Sequence, residues 1–271
     1  MTRCRPLLAA FGLVAAVTIG WAPATHAAGF SAGSTATQEI TAFKPEQVLA
    51  FAKQVERSMA QSGARVAILA RMGRPVSEMP TGMRFTHVAF AVYSRIQTAD
   101  GRQVPGYAIH NLYQVDGAPD RSVLTVDYPV DFFAGVAELE AGILIPSPEL
   151  QQRLLKLIAS PTYAQLHEPA YSVIANPYTT GRQNCTEFVL DVVNAAIYQQ
   201  HDPRFLKQAA QQYFKAQAVD VNPFKLLLGA MFSKEVSTSD HQGQPVTATF
   251  ERIADYLAQY DQGSRVLTLR P

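Results

Sequence analysis

A cysteine at the start of a helix is the residue of this chain best placed for covalent chemistry. The sequence holds two cysteines, Cys4 and Cys185. Cys185 stands in the run Gln183-Asn184-Cys185-Thr186-Glu187-Phe188. Behind it Phe188, Val189, Val192, Val193, Ala196 and Ile197 recur on one helical face. Asn184 is a natural N-cap, and Glu187 is spaced to reach back as in a capping box. Cys185 then takes the first helical position, where the helix dipole and unpaired N–H groups favour a thiolate.

A thiol nucleophile needs a base, a group that fixes the base, and donors for an oxyanion. His87 opens a strand expected over Phe85–Tyr93 and is the candidate base. Alternation places His87, Ala89 and Ala91 on one face and Val88, Phe90 and Val92 on the other. The small alanines leave room for a helix end beside the imidazole. His110, on the strand expected to pair with this one, is the chosen orienter of His87. Asn111 would do the same work from the opposite face, and alternation lets only one of the two point at His87. Each histidine also has a plainer reading, as a strand residue satisfied by a backbone carbonyl.

For the oxyanion, the Cys185 backbone N–H lies at the helix start. Gln183, Asn184, Tyr171 and Tyr178 are the side-chain candidates, Asn184 chiefly as a cap. Asp240-His241 is a rival acid–base pair in a polar loop. His167 and His201 read as ordinary loop and helix-end residues. With one cysteine left after export and no HExxH spacing, neither a metal nor another cofactor is expected.

The elements that must carry these residues follow from periodicity. A helix is expected over Pro45–Gln61, with Val48, Phe51, Val55 and Met59 on one face. Strands follow at Arg65–Arg71, Phe85–Tyr93, Tyr107–Val115 and Ser122–Asp127, with Asp100-Gly101 as a hairpin turn. A short helix near Phe132–Leu139 precedes a buried strand over Ala141–Ile145. Ser147 caps a helix running to Ile158 with Pro148 in its first turn. After an irregular stretch from Ser160 to Arg182 comes the cysteine helix. Helices at Pro203–Ala216 and Pro223–Phe232 and a last element at Phe250–Tyr260 complete an α+β pattern.

The first 27 residues read as an export signal: Arg3 and Arg5, an apolar run from Leu7 to Ile19, then small residues ending at Thr25-His26-Ala27. That run is too short to span a bilayer comfortably. Cys4 and the only tryptophan, Trp21, leave with it. A bacterial periplasmic or secreted location follows, where a lone thiol has no disulfide partner. A flexible arm over residues 28–43 would precede one domain from 44 to 271. The chain carries 23 Lys+Arg against 22 Asp+Glu. Such balance gives no electrostatic case for nucleic acid or for a stable membrane contact. The 48% hydrophobic content supports a full core.

The order of parts resembles the circularly permuted branch of the NlpC-type papain-like superfamily, in which the histidine precedes the cysteine. More narrowly, Gly82-Met83-Arg84-Phe85-Thr86-His87, His110-Asn111 and Gln183-Asn184-Cys185 resemble the exported bacterial family called domain of unknown function twenty-one forty-five. The resemblance spans about Arg65 to Tyr260. Thr186-Glu187-Phe188 departs from the Asn-Gln-Trp expected there. The resemblance implies a papain-like α+β fold with a short antiparallel sheet, a nucleophile-bearing helix and extra C-terminal helices. It implies Cys185 as nucleophile, His87 as base and His110 as third polar residue. The expected activity is hydrolysis of an amide through a Cys-acyl intermediate, with a peptidoglycan stem peptide as the favoured substrate. A non-catalytic envelope binding or assembly module, or an acyltransferase using the same residues, is the alternative.

Overall fold

The computed structural model describes residues 42–219 and 237–271. The export signal, the arm as far as Thr41 and the helix expected over Pro223–Phe232 lie outside the described residues. Helix α1 runs from Pro45 to Gln61 and buries Val48, Phe51, Val55 and Met59, the face that its spacing dictates. Strand β1 (Val66–Met72) is buried at every position. Strands β2 (His87–Gln97) and β3 (Gln103–Val115) form a long hairpin, and Gly101 supplies the positive φ its turn requires. Strand β4 (Ala118–Asp127), helix α2 (Pro129–Phe133) and strand β5 (Glu138–Ile145) follow.

Helix α3 (Pro148–Ile158) is capped by Ser147, whose side chain accepts from the Leu150 N–H. Then come α4 (Pro161–Gln165), α5 (Cys185–Tyr198) and α6 (Pro203–Tyr213). The chain closes with the two-residue strands β6 (Gln217–Ala218) and β7 (Val246–Thr247), helix α7 (Phe250–Tyr260) and strand β8 (Arg265–Leu269).

The main sheet has six antiparallel strands in the order β4-β3-β2-β1-β5-β8. Helices cover both faces, and the sheet is wider than the short antiparallel sheet that the sequence suggested. On one face α1 and α2 pack onto Ala67, Leu69, Ala89, Ala91, Ile109 and Ile143. On the other, α3, α5 and α7 pack onto Ile68, Val88, Phe90, Val92, Leu112 and Leu144. Burial on both sides explains why β1 is an apolar run interrupted only by one arginine near its end. The alanines beside His87 therefore receive α1 and α2, not the cysteine helix.

Two elements differ from expectation for local reasons. The short helix stops at Phe133, and Gly135 turns the chain with φ +73° into β5. Strand β8 had no strong pattern because it is an edge strand with only two of its five residues partly shielded; it pairs Leu267 with Ile143.

Gly142 on β5 is a packing requirement. A Cβ there would stand 2.8 Å from both the Phe85 and Phe250 rings. Those rings meet edge to face with centroids 5.1 Å apart. Gly142→Ala is expected to cost about 1–3 kcal/mol through overpacking. A lower urea midpoint at unchanged m-value checks this, and an unchanged midpoint would mean that the rings move aside.

Candidate functional site

Asn184 accepts from the Glu187 N–H at 2.9 Å, so the cap forms as its sequence position suggests and Cys185 begins α5. The capping box does not close. Glu187 instead turns inward to Lys207 Nζ at 2.5 Å, and Asp191 meets the same ammonium at 2.8 Å. Gln183 Nε2 donates to Asp191 at 2.8 Å. Burial pushes the Glu187 carboxyl up to about 8, with Lys207 opposing and Asp191 reinforcing the shift. Burial acts to lower the Lys207 pKa, but the two carboxylates outweigh it and hold it above the ordinary lysine range.

His87 is fully buried at the head of β2. Its Nε2 lies 2.9 Å from Asn111 Oδ1. Asn111 Nδ2 in turn donates to Asp127 Oδ1 at 2.8 Å and to the Ile109 carbonyl at 3.0 Å. With both amide hydrogens engaged, the oxygen faces the imidazole, so Nε2 carries the proton and Nδ1 is the acceptor. Nδ1 is buried and has no hydrogen-bond partner among the described residues. Tyr113 donates to Asp127 Oδ2 at 2.8 Å and stacks on His87 with centroids 4.8 Å apart. Burial raises Asp127 to about 6, a rise that its bonds from Tyr113 and Asn111 oppose. At neutral pH it is therefore mainly the carboxylate that those donors require.

His110 is not the orienter. It pairs across the sheet with Phe90, and directly opposed residues share a face. Its ring accordingly lies on the far side from His87, edge-on to Tyr163 at 5.9 Å. Asn111, one position on, takes the place expected of it. Tyr113 and Asp127 extend this hydrogen-bonded chain, and neither stood among the candidates from sequence. An acid at the end of β4, beside the histidine-bearing strands, was the available signal for Asp127.

The sulfur of Cys185 lies 3.8 Å from the Thr186 hydroxyl, and the backbone N–H groups of Val88 and Thr186 act to stabilise its ionised form. The β2–β3 pairing ends at Phe90↔His110, so Val88 lies beyond the ladder and its N–H is left for the thiol. The helix face brings the sulfur to the peptide that follows His87. In this resting arrangement the described hydrogen bonds include none between the sulfur and the imidazole.

Burial dominates the electrostatics of both groups. It raises the Cys185 thiol, with the Val88 and Thr186 donors and Arg71 acting against it. It pushes His87 well below the usual imidazole value, and the Arg71 charge adds to that fall. A dipole-stabilised thiolate was the expectation, but desolvation outweighs the helix terminus, and the pair rests neutral. Arg71, next to last in β1, donates to the Phe132 carbonyl at 2.6 Å and lies over the Phe132 and Tyr113 rings. Its signal was a charge near the end of an otherwise apolar strand.

Three proposed oxyanion donors are used elsewhere. Gln183 bridges the Leu166 carbonyl, Asp191 and the Glu168 N–H. Asn184 Nδ2 donates to the Val173 carbonyl and Thr247. Tyr178 donates to the Phe214 carbonyl and accepts from the Ala216 N–H. The Cys185 N–H remains, as a first-turn group with no acceptor inside its own helix. Asp240 and His241 anchor the loop before the cysteine helix: Asp240 accepts from Asn176 and His241 Nε2 bonds the Ile174 carbonyl at 2.8 Å. His167 bonds Ser122 at 2.9 Å, and His201 is exposed.

Cys185 is 4% exposed and opens onto a cavity of about 150 Å³ shared with Met83, Phe85, Thr86 and Tyr171. No described group of three or more His, Cys, Asp or Glu residues is placed to hold a metal ion. No described helix is long and apolar enough to cross a membrane.

Asp127→Asn tests the relay. The exchange puts an amide where Asn111 and Tyr113 need an acceptor of full charge. Acylation of Cys185 by an activated ester is expected to slow about tenfold, the worth of one charge-assisted hydrogen bond. An unchanged rate would show that Asn111 holds the imidazole unaided.

No curated protein and no solved structure matches the chain. A family model covers residues 58–257, taking in the whole relay, the cavity wall around Phe85 and the cysteine helix. The chain therefore belongs to the family described as an uncharacterized protein conserved in bacteria, DUF2145.

Proposed function

We propose that this protein is an exported thiol hydrolase on a papain-like fold of the permuted NlpC type, cleaving an amide through a Cys185-acyl intermediate. The observation that carries the reading is the state of His87. Its Nε2 is held by Asn111 while its buried Nδ1 has no partner among the described residues, and the N–H of the next residue, Val88, acts on the thiol. A neutral imidazole with a vacant nitrogen is a base waiting for a proton. Sulfur–imidazole contacts are often loose before substrate binds.

The thiol sulfur attacks the acyl carbon as its proton passes to Nδ1. The tetrahedral oxyanion, held by the Cys185 N–H, collapses with cleavage of the C–N bond, and the leaving amine takes the proton from His87. Water, deprotonated by Nδ1, then attacks the thioester and releases the acid and the thiol. No cofactor enters these steps.

Burial of the thiol favours a second reading, a binding or assembly module with an inert cysteine. Treatment with p-nitrophenyl hexanoate separates the two. Under the hydrolase reading the whole-protein mass rises by one acyl group, mapped to Cys185 and lost in Cys185→Ala. Absence of any adduct at Cys185 favours the inert module. Transfer to an added amine in place of water would identify an acyltransferase on the same residues.

A further inference from the structure

The cavity in front of Cys185 has polar residues on its wall but few polar groups left to offer. Thr86 Oγ1 accepts from the Gly73 N–H at 2.7 Å. Thr247 Oγ1 accepts from Asn184 at 3.1 Å, and Thr249 accepts from the Arg252 N–H as the cap of α7. Asn184 spends its oxygen on the helix and its amide on Val173 and Thr247. Thr186 faces the sulfur.

Most of the remaining surface is apolar, with Met79, Pro80, Met83, Phe85, Ile174 and Ala248 among its residues. Among the described residues no carboxylate lines the cavity, and Arg74 is the one charged group on its wall. An amino group carried into this space would meet no opposite charge. Burial of an unmatched ammonium or of unpaired amides is unfavourable, whereas burial of each methylene is favourable.

We propose that this cavity is the acyl-binding subsite and that the acyl group it takes is unbranched or lightly branched, apolar and uncharged. The inference rests on Cys185 acting as nucleophile and narrows what that nucleophile receives. An apolar cavity of about 150 Å³ holds a molecule the size of benzene, which sets the acyl group at about six carbons. Two methionines on one wall suit a flexible chain, because their thioethers adapt to its shape. Amine-bearing stem peptides fit this lining poorly at the acyl side. The polar part of the substrate is then the leaving group.

Two measurements test this, one of them independent of catalysis. In methyl NMR, acetamide, butanamide, hexanamide and decanamide are titrated onto the intact protein. The Met79 and Met83 methyls are expected to shift, with at least tenfold tighter binding for hexanamide than for acetamide and no further gain at decanamide. Met83→Glu removes that gain. In kinetics, kcat/KM for p-nitrophenyl esters follows the same order.

Methyls that do not shift, or affinities that ignore chain length, overturn the proposal. Cys185-dependent turnover equally fast for acetate and hexanoate sinks the subsite while leaving the hydrolase intact. Tight hexanamide binding with no acyl adduct at Cys185 from any ester overturns the acyl role and the hydrolase reading together.

Discussion

His87→Ala is expected to slow acylation of Cys185 by about 10²–10⁴-fold, the usual contribution of a positioned general base. The expectation follows from the resting state of the site. The thiol is raised and the imidazole lowered, both mainly by burial, so no thiolate is stored in advance. The proton must move as the sulfur attacks, and Nδ1 is the buried acceptor without a partner. His87→Gln should restore packing without restoring rate. Stopped-flow release of p-nitrophenol measures the step, and a loss below about threefold would remove His87 from the mechanism.

The pH dependence carries its own sign. A base needs His87 neutral, and its folded pKa lies well below 6.5, so acylation should persist through pH 6.5 and fail only at more acid values. Iodoacetamide, which requires thiolate, should react slowly at neutral pH and accelerate only in alkaline solution. The same shift acts on stability. Below pH 6.5 the unfolded chain binds a proton that folded His87 refuses, so stability falls as the pH drops from there toward the folded value. His87→Gln removes that acid-side decline.

Lys207→Met is expected to be the most damaging single change outside the site, at about 3–5 kcal/mol. Lys207 is 7% exposed and is the ammonium between Glu187, 0% exposed, and Asp191, 4% exposed. Removal of the cation leaves two carboxyls facing each other at the first turns of the cysteine helix. The triple variant Lys207→Met, Glu187→Gln, Asp191→Asn should regain most of the loss, because a neutral cluster of similar shape avoids the buried charge. Denaturant unfolding reads both.

In the native protein Glu187 stays protonated up to about 8 against about 4.5 in the unfolded chain. Its proton-linked stabilisation is therefore complete below about pH 4.5 and declines as the pH rises through about 8. If Lys207→Met cost under about 1 kcal/mol, Asp191 would need no counter-charge and the ammonium would be dispensable.

Much of the site was legible from local pattern. Asn184 caps the cysteine helix as its type and place suggested, and Cys185 takes the first helical position. The hairpin turns at Asp100-Gly101, and α1 and α3 keep their expected ends. The faces of β2 divide as alternation required, Ala89 and Ala91 to one core and Val88, Phe90 and Val92 to the other. These features depend on residues within a few positions of one another, where caps, turns and periodicity act.

The partners of those residues were settled across the sheet and between layers. Alternation left His110 and Asn111 as rivals; the register Phe90↔His110 sent the histidine to the far face and turned the asparagine toward His87. Spacing pointed Glu187 back at its own helix start, yet a lysine from α6 drew it inward. A helix terminus favoured an ionised thiol, yet two covered faces of the sheet removed the water that would have sustained the charge. Arg71 joined the site because the β1–β2 register sets it opposite His87, and Tyr113 and Asp127 because β3 and β4 bring them to the same imidazole and its asparagine. Register, desolvation and the meeting of distant charges are properties of the assembled chain, and no window of sequence contains them.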